Sequence, residues 1–294
     1  GDVYKRQELS SSFGSYNTLK NTIKFSTGKI NDYFELSGRL SKIDSDGYVD
    51  RAYSDLKSYF IQGAYTNGST LIKAISFGGH EKTYQAWDGL SMDQVLENRR
   101  QNPLTYENEI DNYKQDHFQL HWNEKISNYW SFNLGLNYTD GRGYFEQYKE
   151  DDDINTYGGI VKSDIDSNGN ETGTTDLIRR RWLDNDFYVL NSSINYIKDK
   201  IDLTLSSSYS SYVGDHYGEV IWARSLSNTG EIRDRYYEGL GEKKDLSFFA
   251  KLLYSINKKT ELYTDIQLRG VKYNTSGITS DLINMVLDKS YNFF

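Results

Sequence analysis

Trp130-Ser131-Phe132-Asn133-Leu134-Gly135-Leu136-Asn137-Tyr138-Thr139 holds two sequences interleaved. Even positions read Trp, Phe, Leu, Leu, Tyr. Odd positions read Ser, Asn, Gly, Asn, Thr. A strand points successive side chains to opposite faces, so this stretch separates one apolar face from one wet face. A strand buried in a soluble core has no use for so polar a second face over ten residues. A transmembrane β-barrel does, with apolar side chains toward lipid and polar ones toward the lumen.

The same alternation recurs along the chain. Strands are expected over about 9–15, 19–26, 34–41, 55–66, 70–82, 117–123, 130–139, 188–196, 201–210, 246–254 and 262–268. The connections alternate in length. Short turns fall near 28–32, 67–69, 127–128, 198–200 and 257–259, with Asn67-Gly68-Ser69 a strong hairpin signal. Long polar segments cover about 44–54, 84–112, 145–180 and 214–242. The second holds Pro103, the one proline, and a helical turn or two over 91–100 capped by Ser91. Short turns at one end and long loops at the other are the asymmetry of an up-and-down outer-membrane barrel. Loops of about 30 residues belong in a compact domain only if they carry function.

Composition agrees and narrows the function. Mean hydropathy is −0.74, and no run approaches the ~18 apolar residues of a membrane helix. Lumenal residues dilute every hydropathy window of a β-barrel, so the low value does not argue against one. The 26 tyrosines fit interfacial girdles and a wet vestibule. Zero cysteines remove disulfides and thiolate chemistry. A net charge of −8 argues against a nucleic-acid partner. Asp2-Val3-Tyr4-Lys5-Arg6-Gln7 resembles the translated end of a transposase sequencing adaptor, so residues 1–7 are set apart from the fold.

Several residue sets resemble one family. Gly14-Ser15-Tyr16-Asn17-Thr18, Thr27-Gly28 and Ser45-Asp46-Gly47-Tyr48-Val49-Asp50-Arg51 resemble the opening of the barrel in TonB-dependent outer-membrane receptors. Gly78-Gly79-His80-Glu81-Lys82-Thr83-Tyr84-Gln85-Ala86-Trp87-Asp88-Gly89 resembles the Bacteroidetes-type versions, and Tyr291-Asn292-Phe293-Phe294 the start of a later barrel strand. The resemblance covers 8–294. It implies an all-β, antiparallel up-and-down barrel of about 22 strands filled by an N-terminal plug. About eleven of those strands are expected here. Residues 8–294 then form the N-terminal half of the barrel, without the plug, the TonB box or the C-terminal half. Such a half leaves two open strand edges, so it is not expected to insert or transport alone.

The resemblance also implies a role. The whole protein would import a scarce nutrient across the outer membrane of a Gram-negative bacterium. A ferric siderophore leads as cargo, with haem or cobalamin next. Further expected partners are TonB, outer-membrane lipid and lipopolysaccharide. No cofactor is expected, and no motif for a nucleophile, a zinc helix or a phosphate loop supports an enzyme. Rival readings are a passive porin-like or adhesin barrel, an outer-membrane enzyme, and a secreted carbohydrate-binding protein. The porin reading predicts a constriction loop folded inward.

Candidate ligand contacts lie in the long loops and at the rim: Tyr84, Trp87, Arg99, Arg100, Arg142, Tyr144, Arg179, Arg181, Trp222 and Arg224. Guanidinium groups and aromatic rings there suit an anionic chelate. The tandem Arg179-Arg180-Arg181 equally fits lipopolysaccharide contact or solvated loop charge. Tyr129, Trp130, Tyr254 and Tyr263 are read as an interfacial girdle. His117 and His121 share a strand face but stand roughly 13 Å apart, too far for one ion. Asp164, Asp166, Asn168 and Gly169 match half of a calcium loop. The glutamate its twelfth position requires is Thr175 here, so calcium is a weak alternative to a plain loop apex.

Overall fold

In the computed structural model, which describes residues 5–294, twelve antiparallel strands form one sheet in chain order. Of the adaptor-like run, residues 1–4 lie outside the described residues, and Arg6 and Gln7 pair with Ser26 and Phe25. The strands are β1 (Arg6–Gly14), β2 (Thr18–Ser26), β3 (Phe34–Ser45), β4 (Ser54–Thr66), β5 (Thr70–Tyr84), β6 (Ile110–Lys125), β7 (Trp130–Asp153), β8 (Thr174–Lys198), β9 (Ile201–Ala223), β10 (Arg235–Asn257), β11 (Thr260–Gly277) and β12 (Leu287–Phe293). The sheet is not closed: β1 and β12 each keep one unpaired edge. Among the described residues no helix is long and apolar enough to cross a membrane.

The count of eleven strands is corrected to twelve. The added strand, β12, carries Asp288, Lys289 and Ser290 among its aromatics, which hid the alternation. A second correction concerns the segments 145–180 and 214–242. Parts of both are strand, over 145–153, 174–180, 214–223 and 235–242, because β7 to β10 continue well past the expected ends. Beyond the membrane neither face meets lipid, so the period-two signal fades while the ladder hydrogen bonds continue. The true connections there are 154–173 and 224–234. Connection lengths are less regular than a strict alternation, since the tight connection expected at Tyr16-Asn17 is present and lies at the same end as the long loops. The helical turn is α1 (Met92–Glu97), with Ser91 and Gln94 forming a capping box.

Register places the apolar residues in transverse rows on one face. Leu120, Leu136, Leu190 and Tyr209 are successive partners from β6 to β9. Aromatic side chains close this band at both ends. Trp130 packs on Tyr196 at 4.6 Å at the short-turn end, and Tyr138 stacks on Tyr188 at 4.7 Å at the other. From Trp130 to Tyr138 is about 26 Å of strand, or roughly 20 Å of height at a tilt near 40°. That is close to the lipid-facing band of an outer-membrane barrel. The opposite face carries Asn133, Gln119, Asn137, Ser193 and Ser208, and is lumenal. Asn133 donates to Ser193 and Gln119 to Asn137, so polar groups pair across the inner wall. Tyr263 falls on this inner face, one residue out of phase with Leu262, so its girdle assignment is corrected.

The buried core lies outside the lipid band. Tyr157, Ile160, Val161, Leu177, Val220 and Tyr236 pack together under the loop 154–173, roughly ten residues above the upper aromatic row. Leu177 and Val220 project from the inner face of β8 and β9. The loop therefore folds inward and roofs the wall from within.

Candidate functional site at the barrel mouth

The inner wall near the mouth is built from glycines overlaid by aromatic rings. A side chain at Gly141 would collide with Tyr113, one at Gly214 with Tyr212, and one at Gly218 with Tyr236 and Tyr237. Glycine at these positions lets the rings lie against the wall. At Gly143 a Cβ would meet the Asn112 carbonyl and the Tyr113 backbone, so β6 and β7 approach too closely there for any side chain. A bulge between Arg235 and Tyr237 seats Tyr236 in the core and leaves Tyr237 opposite Gly218 on the inner face.

One transverse row on this face reads Asp111, Phe145, Arg181, Gly218, Tyr237 across β6 to β10. The Arg181 guanidinium donates from Nε to the Tyr236 hydroxyl at 3.3 Å. It lies 6.0 Å from the Phe145 ring centroid and 5.9 Å from that of Tyr237. Trp87, from the loop 85–109, meets Phe145 edge-on at 5.4 Å and is 56 % exposed. No carboxylate neutralises Arg181 in this cluster, so its charge is held by π-faces and a hydroxyl. Next to it, Tyr212, His216, Tyr237, Tyr273, Thr275 and Met285 line a cavity of about 480 Å³ over Gly239 and Gly241. Aromatic rings with hydroxyl and imidazole groups, beside one cation held by π-faces, suit an anionic ligand.

The expected contact residues divide by strand phase. Trp87 and Arg181 come together around Phe145. Arg142 and Tyr144 do not, because their even positions in β7 put them on the outer face with Tyr138. Arg142 there pairs with Asp184 at 3.2 Å and covers Trp182, and Tyr144 carries Arg180 over its ring at 4.2 Å. Trp222 pairs with Ile178 on the same outer face. Arg179 points inward but is 8 % exposed, held by the Tyr157 hydroxyl at 3.1 Å and by Gln147. Tyr84 is buried, donating to the carbonyls of Leu104 and Tyr106. Arg100 donates to the Tyr48 carbonyl and joins two loops, while Arg99 is exposed to solvent.

Arg224 forms ion pairs with Asp164 and Asp176. Asp164 also accepts from Ser225 and Thr175, and Asp166 accepts from the amides of Asn168 and Asn170. Asp164 and Asp166 thus spend their oxygens on hydrogen-bond donors, and Asn168 is itself one of those donors. Among the described residues no group of three acidic, histidine or cysteine side chains could hold a metal. His117 stacks on Phe77 at 4.4 Å and bonds Thr139 on the lumenal wall.

The loop 85–109 is fastened from below. Gln85 donates to the carbonyls of Ile110 and Glu146, and Asn102 to those of Asp50 and Gln85. Arg51 reaches across to the carbonyls of Asn102 and Leu104. These hydrogen bonds join the loop 46–53 to the loop 85–109. Phe145 and Tyr237 are legible in the sequence once the strand phase of β7 and β10 is continued upward.

Burial and, to a smaller degree, the neighbouring Glu81 raise the carboxyl of Asp111 to about 6. The folded state therefore holds this proton more tightly than the unfolded chain does. Its stabilising contribution is full below about 4 and is lost as pH rises through 6. Asp111→Asn should stabilise the protein at pH 7 and make little difference at pH 4. Unfolding midpoints of both proteins at the two pH values check this.

Solved structures supply the fold match. The ferric-catecholate import receptor Fiu of E. coli K12 matches 97 % of this chain at 11 % identity, with a TM-score of 0.67. The ferripyoverdine receptor of the outer membrane of Pseudomonas aeruginosa matches 99 % at 9 % identity and 0.66. The ferric yersiniabactin uptake receptor FyuA of Yersinia pestis matches 99 % at 11 % identity and 0.63. The chain spans 50 %, 40 % and 43 % of their respective lengths. No family model matches the chain, and no curated protein does. The fold is an open, partial version of these receptors' barrels.

Proposed function

We propose that this chain forms part of the barrel wall of a TonB-dependent outer-membrane receptor from a Gram-negative, Bacteroidetes-type bacterium. Its cargo is a scarce nutrient held as an anionic chelate. A ferric siderophore comes first, then haem or cobalamin. Further strands close the barrel on the free edges of β1 and β12, and coupling to TonB runs through a region before Glu8. The chain performs no covalent chemistry on the cargo. The observation that carries this reading is the inward-facing cluster of Trp87, Phe145, Arg181 and Tyr237, whose cation has no carboxylate partner among the described residues. It sits on a wall whose fold is shared with import receptors for iron chelates.

The test expresses the complete gene in a strain stripped of its own receptors and supplies ferric siderophores, haem or cobalamin as sole sources. Growth that requires TonB supports the reading. In that background Arg181→Ala should weaken cargo binding about 10- to 100-fold, the worth of hydrogen bonds from a charged donor. Arg142→Ala, on the outer face, should leave binding unchanged. Equal losses from both would refute the site.

One observation favours the passive porin-like or adhesin alternative, since the loop 154–173 does fold inward. It packs on the wall well above the lipid band, however, and narrows no mid-membrane channel. Uptake that proceeds without TonB would decide for that alternative.

A further inference from the structure

Asp111 stands in the same inner-face row as Arg181, with Phe145 between them. Two strand spacings of about 4.8 Å put the two positions roughly 10 Å apart. Other buried carboxylates at this height are spent. Asp176 and Glu146 each accept a tyrosine hydroxyl and pair with an arginine. Asp111 has neither: among the described residues no hydrogen-bond donor or cation meets its carboxyl, and burial and Glu81 alone act on it.

Its surroundings offer it no partner. On β5, Thr83 is its cross-strand neighbour and donates to Glu81, which lies on the diagonal. On β6, Tyr113 follows it on the same face, and Glu109 before it accepts the Tyr148 amide. On β7, Phe145 faces it. Arg179, one row higher on β8, is spent on Gln147 and the Tyr157 hydroxyl. From the loop 85–109, Trp87 lies against Phe145 and Asp88 acts on Glu109.

A half-buried carboxyl with a carboxylate for a neighbour and no donor titrates above its ordinary range, because both effects oppose the charged form. Asp111 is raised to about 6, by burial first and Glu81 second. Its ionised form places a negative charge on the wall beside the seat of an anion held by Arg181. Two unit charges about 10 Å apart change an equilibrium roughly 2- to 15-fold, according to how much water lies between them.

We propose that Asp111 makes anion capture at the mouth proton-linked. Neutral, it leaves Arg181 to the ligand. Ionised, it opposes the ligand's charge from the same row. Phe145, standing between the two, keeps the carboxylate from closing on the guanidinium. Affinity is therefore highest below pH 6 and falls as pH rises through 6. Linkage is reciprocal, so an anion bound at Arg181 draws a proton onto Asp111. The proposal rests on the anion site given above.

The test uses the full-length protein in detergent with hexacyanoferrate(III), a compact iron-bearing anion that does not titrate in this range. Calorimetry measures its affinity near pH 5 and near pH 8. The native protein should bind at least about threefold tighter at the lower pH. Asp111→Asn should keep the low-pH affinity at the higher pH. Glu81→Gln should move the midpoint to lower pH, since one of the two influences that raise it is gone. Near the midpoint, binding to the native protein should take up protons, read as a heat that varies with the ionisation enthalpy of the buffer. Asp111→Asn should abolish that uptake. His216 lines the adjoining cavity and is the rival source of a pH response. His216→Gln should keep the response, whatever it does to affinity. Equal native affinities at the two pH values overturn the proposal while the anion site stands. So does a response that survives Asp111→Asn and is lost with His216→Gln. Arg181→Ala should weaken binding at both pH values. Binding untouched by that change, or absent from the native protein at both pH values, counts against the anion site and the proton linkage together.

Discussion

Leu134→Arg should destabilise the inserted protein by about 2–4 kcal/mol, whereas Gly135→Arg should change it by less than about 0.5 kcal/mol. The two positions are adjacent, so only the face differs. Leu134 lies midway between Trp130 and Tyr138 on the apolar face, opposite Trp122 and Ser192. A guanidinium there must be desolvated or must thin the bilayer around itself. Gly135 faces the lumen, where an added Cβ meets only His121 Nδ1 at 3.8 Å, an ordinary contact. An arginine at that position extends into water. The measurement is denaturant unfolding of the full-length protein in lipid vesicles. Reversed costs would overturn the assignment of faces, and with it the placement of every residue argued from strand phase.

Asp176→Ala should cost about 2–3 kcal/mol and free two loops together. Asp176 is 3 % exposed and accepts the Tyr148 hydroxyl at 2.7 Å and the Asp151 amide at 3.0 Å. It also meets Arg224 in a close ion pair. Burial alone would raise its pKa, but the Asp151 amide, the Tyr148 hydroxyl and Arg224 together hold it below the usual carboxylate value. Alanine strands three donors at once. Breaking a buried pair can cost more than this, but Arg224 is half open to water and recovers solvation. Asp164 and Ser225 join the same network, which binds the loop 154–173 to 224–234. Hydrogen exchange should therefore accelerate in both loops and remain unchanged in 85–109, which is tied to β6 and β7 through Gln85. Loss of protection in only one of the pair would show that the network does not couple them.

Much of the fold was legible because lipid imposes a harsh rule on one face. Within the band, Trp130 to Thr139 could hardly be read otherwise, and the short turns followed from Asn67-Gly68 and Lys198-Asp199-Lys200. Above the band that rule lapses. Arg179-Arg180-Arg181 reads as a loop cluster, yet in β8 its members alternate: 179 is buried in the core, 180 lies outside on Tyr144, and 181 turns toward the mouth. Charge and residue type could not separate three identical side chains, and only their phase does. Arg142 and Tyr144 were placed in the vestibule for the same reason. Tyr236 could not have been found by counting, since its bulge breaks the period. Ser91 was legible because a capping box is local. Arg51, which holds a loop fifty residues away, was not.

The separation of the buried core from the lipid band has an evolutionary consequence. Each of β7 to β10 answers to two solvents along its length, and the buried cluster stands roughly ten residues above the lipid band. Substitutions in the roof are filtered by fit among Tyr157, Leu177 and Tyr236. Those on the outer face of the wall are filtered chiefly by the bilayer. The mouth of such a protein can drift toward new ligands while the membrane anchor stays under unchanged selection, with no compensating change needed across the boundary.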